Sequence, residues 1–137
     1  MRLFVVSLNF GNTLLYNSRR FFMQKTRHKS IQKGDVWVID NTNAVGHMQK
    51  GVRPHVVVTQ VTGETVTVAP CTSAPKKNHQ YVVKILPTEQ NGLTMISYIL
   101  LSQSFAADTS LLREKIGHLD ENEIARIQLE FVKYVTD

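Results

Sequence analysis

The chain has one cysteine, Cys71, in 137 residues. No disulfide can form within it, and a cysteine-based zinc site has nothing to build on. The simplest expectation from that usage is a cytoplasmic protein. Cys71 itself reads as a small buried apolar residue, because a nucleophilic role needs a histidine base at hydrogen-bond distance. Long hydrophobic runs are also missing. Tyr98–Leu101 is the size of a strand, far short of the ~20 residues a membrane-spanning helix needs, so no membrane partner is expected. The histidines at 55, 79 and 118 show no metal-ligand spacing, so neither a metal nor a cofactor is expected.

Acidic residues are absent from residues 1–34, which hold seven basic ones: Arg2, Arg19, Arg20, Lys25, Arg27, Lys29 and Lys33. The chain's net charge of +5 comes from there, since the remainder carries nine basic and eleven acidic residues, a net of −2. A nucleic-acid site in that remainder has to be a local groove rather than a basic surface. Residues 1–32 are therefore set apart as a basic, flexible N-terminal extension. Its charges follow its apolar stretch instead of preceding it, unlike a secretory signal. An organellar transit peptide, or a reading frame whose natural start is Met23, remains open. Residues 33–137 form the expected domain, long enough for a single core.

That domain reads as β-rich with one terminal helix. Val36–Ile39, His55–Thr59, Thr65–Ala69 and Tyr81–Leu86 are strand-like runs between turn signals at Lys33–Asp35, Thr62–Glu64 and Asn91–Gly92. Pro54 is expected at the first position of its strand. Thr94–Leu101 is an apolar run expected to be a strand buried on both faces. Asp40–Gly51 and Cys71–Asn78 read as loops. Leu111, Leu112 and Ile116 suggest one or two helical turns stopped at Gly117. Asp120 with Glu123 forms a capping-box signature, and Ile124, Ile127, Phe131 and Tyr134 make one core-facing helix stripe. The expected fold is mainly β: a small antiparallel barrel with a C-terminal α-helix, whose sheet edges are covered by dimerisation.

Two segments carry chemistry. Gly46–Pro54 (GHMQKGVRP) delivers Arg53 to the start of a strand, with Pro54 fixing the backbone after it. A guanidinium held there is a natural phosphate anchor, being planar, always charged and rich in donors. Pro70–Lys77 (PCTSAPKK) combines two hydroxyls with two lysines, groups that bind phosphate oxygens. Taken singly, each segment also fits an ordinary surface: an arginine in an exposed ion pair, and a solvated Ser/Thr turn.

The order Lys33-Gly-Asp-Val-Trp37, then Gly46-His-x-Gln-x-Gly-x-Arg-Pro54, then apolar strands leading to Thr72-Ser73, resembles the MazF/PemK toxin ribonucleases. Leu100-Leu-Ser-Gln103 through Asp108 to Leu112 and Ile116-Gly-His-Leu119 is similar to that family's closing segment, so the resemblance covers residues 32–135. It implies an SH3-like, CcdB/MazF-type barrel acting as a homodimer. It also implies a type II toxin that cleaves single-stranded RNA or mRNA at short preferred sequences and is held inactive by a cognate antitoxin protein. The family's arginine falls on Arg53, its threonine on Thr72 and the loop histidine of the PemK-type branch on His47, all three implied to be catalytic. Gln49, Lys50, Ser73, Lys76, Lys77 and Gln103 are implied to contact substrate. Attack of the ribose 2′-OH on the adjacent phosphorus then yields a 2′,3′-cyclic phosphate and a 5′-hydroxyl without a metal. Arg53 stabilises the charge on the phosphorane, a role worth about 3 kcal/mol. Thr72 bonds the scissile phosphate, and His47 serves as general acid or base.

The chain departs from the family pattern at Ser102, where relatives often carry an acid, at Phe105, where they often carry arginine, and at Met48, where some carry glutamate. Phe105 is read as core packing or as a stacking surface for an RNA base. Two other functions on the same fold follow from these departures and from the fold's other uses. One is an RNA-binding module with weakened catalysis. The other is a CcdB-like gyrase inhibitor, whose C-terminal Trp-Gly-Ile pattern is missing from Tyr134–Asp137.

Overall fold

The computed structural model describes residues 30–43, 46, 51–75 and 79–137. The basic extension, over residues 1–29, lies outside the described residues, as do His47, Met48, Gln49, Lys50, Lys76 and Lys77. Among the described residues seven strands form in chain order: β1 (Asp35–Asp40), β2 (Val52–Val57), β3 (Thr65–Thr72), β4 (Val82–Ile85), β5 (Ser97–Leu100), β6 (Phe105–Asp108) and β7 (Leu112–His118). The helix α1 (Glu121–Thr136) follows them. The antiparallel sheet runs β4-β5-β3-β2-β1-β7, and β6 pairs with β3 off that path.

β3 is the shared strand. Its Thr65–Val68 half pairs with β6, and Cys71–Thr72 pairs with β5, while Val68–Pro70 faces β2. The sheet bends over this strand without closing, giving the barrel-like form expected from the sequence. Side chains alternate across each strand. Val56, Ala69, Cys71, Val83, Ile85 and Ile99 therefore point into one core, covered by Leu119 and Ile127 and by half-buried Ile124 and Phe131. Val57, Val66, Val68, Trp37, Ile39, Ala107 and Leu112 fill a second core on the opposite face. Each such side chain contributes about 1.5–3 kcal/mol by leaving water.

The capping box is present: Asp120 Oδ1 accepts from Glu123 N at 2.7 Å, and Glu123 Oε1 accepts from Asp120 N at 3.0 Å. Gly34, at φ +87°, packs so closely under the helix that a Cβ would lie 2.4 Å from Ile124 Cδ1. The helix stripe is buried at Ile127 and fades to Tyr134, 38% exposed, which packs on Tyr81.

Four expectations are corrected. Pro54 is the third residue of β2, tolerated because β3 begins to pair with β2 only at His55. Cys71 and Thr72 are strand rather than loop, since β5 gives them partners. Thr94–Ile96 is not strand; Met95 and Ile96 are exposed, and the strand is only Ser97–Leu100, buried except at half-buried Tyr98. Leu112–His118 is an edge strand on β1, not a helix. Two register irregularities in that pairing, between Val36/Trp37 and Val38/Ile39, break the two-residue alternation that marks a strand. Gly117 stops nothing. A Cβ on it would meet the Asn91 carbonyl within 2.3 Å, so glycine lets the Asn91 turn cross β7.

Candidate active site

Arg53 is half-buried on β2. Its Nη1 donates to the Cys71 carbonyl at 3.1 Å, bringing the guanidinium against the end of β3. His55 opposes Pro70 in that pairing. Continuing the antiparallel register by two residues sets Arg53 across from Thr72, on one face. Thr72 is 7% exposed, and its Oγ1 accepts from Ala74 N at 3.2 Å. That bond occupies an acceptor site and leaves the hydroxyl proton to be donated outward. Ser73 follows, exposed to solvent.

The row continues across the sheet. Thr72 is opposite Tyr98, and Tyr98 is opposite Lys84. Cross-strand partners share a face, and the alternate residues Cys71, Ile99 and Val83 belong to the helix-covered core. Guanidinium, hydroxyl, half-buried phenol and exposed ammonium therefore line the other face in sequence. Tyr98 was not singled out from the sequence, because only strand register reveals it. Gln103 lies half-buried in the 3-10 turn Leu101–Gln103 that joins β5 to β6, beside exposed Ser102.

His55 also escaped the sequence reading, although its place two residues after Arg53 on a strand puts the two on one face. It is fully buried, with Nδ1 3.0 Å from the Arg53 carbonyl oxygen. Burial pushes its pKa down to about 4; the bond to Arg53 O opposes this and the Arg53 charge adds to it. Phe105 packs edge-on against its ring, with centroids 5.8 Å apart, and is half-buried against the second core. Of the two readings of Phe105, packing is the one its position fits. Burial also pushes the Cys71 thiol up to about 12, against the pull of Arg53, so it stays protonated and inert.

A second polar cluster sits at the start of β1. The fully buried Asp35 accepts from Gln32 N at 2.9 Å and Trp37 Nε1 at 3.2 Å, and it pairs with His118 Nδ1 at 2.7 Å and Lys115 Nζ at 3.2 Å. Burial pushes its carboxyl up, but the bonds from Gln32, His118, Trp37 and Lys115 together hold it below the usual carboxylate range. No group of three His, Cys, Asp or Glu side chains among the described residues is arranged to hold a metal ion. No helix among them is long and apolar enough to cross a membrane.

Residues 32–134 match the family model described as PemK-like, MazF-like toxin of type II toxin-antitoxin system. The chain is similar to Endoribonuclease EndoA of Bacillus subtilis (strain 168), 31% identical over 101 residues that cover 71% of this chain and 87% of that protein. In structure it is similar to MazF from Deinococcus radiodurans, with a TM-score of 0.66 and 21% identity over 80% of this chain and all of the other. It is also similar to an endoribonuclease solved in complex with its cognate antitoxin from a mycobacterial species, with a TM-score of 0.61 and 14% identity over 77% of this chain and 95% of that one.

Proposed function

The chain belongs to the PemK-like, MazF-like toxins of type II toxin-antitoxin systems, and from that premise we propose that Arg53 and Thr72 form the centre of its metal-independent RNA-cleaving site. The protein is an endoribonuclease, as its relative EndoA is. This activity is favoured over a gyrase inhibitor or a binding module without catalysis.

The observation that carries the proposed site is the guanidinium of Arg53 fixed to the Cys71 carbonyl beside the Thr72 hydroxyl. A phosphodiester laid on this row meets Arg53 at its non-bridging oxygens and Thr72 as a donor. The substrate's own 2′-OH is the nucleophile; its oxygen bonds to phosphorus while the 5′-oxygen leaves. Charge accumulates on the phosphorane oxygens, where a positioned cation acts most strongly. Products are a 2′,3′-cyclic phosphate and a 5′-hydroxyl. Tyr98 offers a flat surface for an adjacent base, a contact worth ~1–3 kcal/mol, and Lys84 offers a charge for the next phosphate. Single-stranded RNA suits this arrangement because unpaired bases can splay onto an aromatic ring. Ser73 and Gln103 serve as substrate contacts. His47 serves as the general acid or base, and Gln49, Lys50, Lys76 and Lys77 as further substrate contacts.

The cognate antitoxin protein is the physiological partner, and mRNA as substrate places the action in the cytoplasm. A homodimer is supported by the exposed apolar residues Leu129, Val132 and Val135 along α1, together with the unpaired edge of β4. The test is incubation of the protein in EDTA with a long single-stranded RNA, followed by mapping of the product ends. Discrete cuts with 5′-hydroxyl ends are expected. Intact RNA, alongside an active relative that cuts it, would contradict the proposal.

A further inference from the structure

Among the described residues, His55 Nε2 is the buried side-chain polar atom that has no hydrogen-bond partner. The ring's other nitrogen explains its chemical state. Nδ1 lies 3.0 Å from the Arg53 carbonyl oxygen, and a carbonyl can only accept, so Nδ1 carries a proton and donates. With its pKa lowered by burial to about 4, the ring holds only that one proton at neutral pH. Nε2 is then a lone pair sealed inside the protein.

A sealed, unpaired acceptor destabilises a fold. Leucine or phenylalanine would fill the same space against Phe105 without that loss, so stability does not explain a histidine here. What histidine does supply is the donor to Arg53. Pairing of β2 with β3 begins at His55 and Pro70, so Arg53 lies beyond the end of that ladder and is matched with Ile39 on β1. The imidazole adds a side-chain hold on the Arg53 carbonyl, where β2 is paired with β1 and no longer with β3, and the edge of Phe105, at 90° to the ring, fixes the plane of the imidazole.

We propose that His55 is a positioning residue for cleavage: its Nδ1–H pins the Arg53 backbone so that the guanidinium stays in line with Thr72. The inference rests on Arg53 being the phosphate anchor of the ribonuclease site. A loosened Arg53 would still meet the substrate but would be misplaced as charge develops, so the loss falls on kcat rather than KM.

The test uses the full chain as wild type, His55→Leu, His55→Asn and Arg53→Ala. Steady-state cleavage of a single-stranded oligoribonucleotide carrying a mapped cut site is measured, with thermal melting and the 15N shifts of the His55 ring at neutral pH. Asparagine places an amide donor near the position of Nδ1. Expected for His55→Leu is a melting temperature no lower than wild type, a KM within about twofold, and a kcat lower on the order of 10–100-fold. His55→Asn should recover most of that loss, and the ring should show protonated Nδ1 with unprotonated Nε2. Wild-type kcat in His55→Leu, no recovery in His55→Asn, or a proton on Nε2 would overturn the inference. If His55→Leu does not fold, the asparagine variant and the ring shifts still decide. A wild-type rate in Arg53→Ala would instead overturn the reading beneath it.

Discussion

Among the described residues, two buried polar clusters hold a histidine, and they are finished differently. At the start of β1, the Asp35 carboxylate receives four partners, two from its own strand region and two from β7. It ties the sheet's last two strands together and leaves neither oxygen bare. Within β2, His55 is sealed with one nitrogen bonded and the other unpaired, next to a half-buried arginine and a hydroxyl that still has a proton to give. A fully satisfied buried cluster is what a fold keeps for its own integrity. A partly satisfied one costs stability and persists where it serves something else. The first cluster therefore fits architecture, and the second fits the proposed chemistry.

The largest expected effect tests the architectural half. Asp35→Ala takes the acceptor from Gln32 N and from buried Trp37 Nε1 and unpairs the partly exposed Lys115 and His118, and should lower unfolding free energy by roughly 3–5 kcal/mol summed over these bonds, read by chemical denaturation. RNA cleavage per folded molecule should be retained. A large catalytic loss at unchanged stability would reverse the assignment.

Acid separates the two clusters by pH window. The folded pKa of His55, about 4, lies below the ordinary histidine value of 6.5, so between those values the unfolded chain binds a proton that the native chain does not. Stability should therefore fall on acidification from pH 6.5 to 4, by about 3 kcal/mol at roughly 1.4 kcal/mol per unit. His55→Leu should flatten that slope. Asp35, whose folded carboxyl sits below the ordinary aspartate value of 3.8, keeps its contribution through this window and loses it only below it. Melting curves across pH on both proteins check the pattern, and an undiminished slope in His55→Leu would break it.

Thr72→Val sharpens the chemical half. Removing one donor to a charged phosphate should cost about 2 kcal/mol of transition-state stabilisation, roughly a 30-fold fall in kcat/KM, while Thr72→Ser keeps most of the rate. The smallest effect lies away from both clusters. Asp120→Ala removes the helix cap and should lower stability by about 1 kcal/mol without changing cleavage by folded protein.

Much of this was legible in the residues. The Asp120/Glu123 cap, the turn glycines and the hairpin of β2 and β3 are local features, and local chemistry specifies them. Arg53 and Thr72 were found through ordered motifs, and the structure then set them side by side. β7 was misread because its bulged pairing with β1 erased the alternation that identifies a strand. β6 was missed because Phe105–Asp108 is short and owes its conformation to β3. Tyr98, and the partnership of Asp35 with His118 across 83 positions, exist only through long-range register, which no local pattern encodes.

The central claim is that the cluster around Arg53 is the ribonuclease centre, and its most direct test is a comparison of wild type with Arg53→Ala on single-stranded RNA in EDTA, with product ends mapped. The account predicts discrete 5′-hydroxyl ends from wild type, and a rate on the order of 10²–10³-fold lower from a variant that melts normally. Equal cleavage by the two proteins would contradict it.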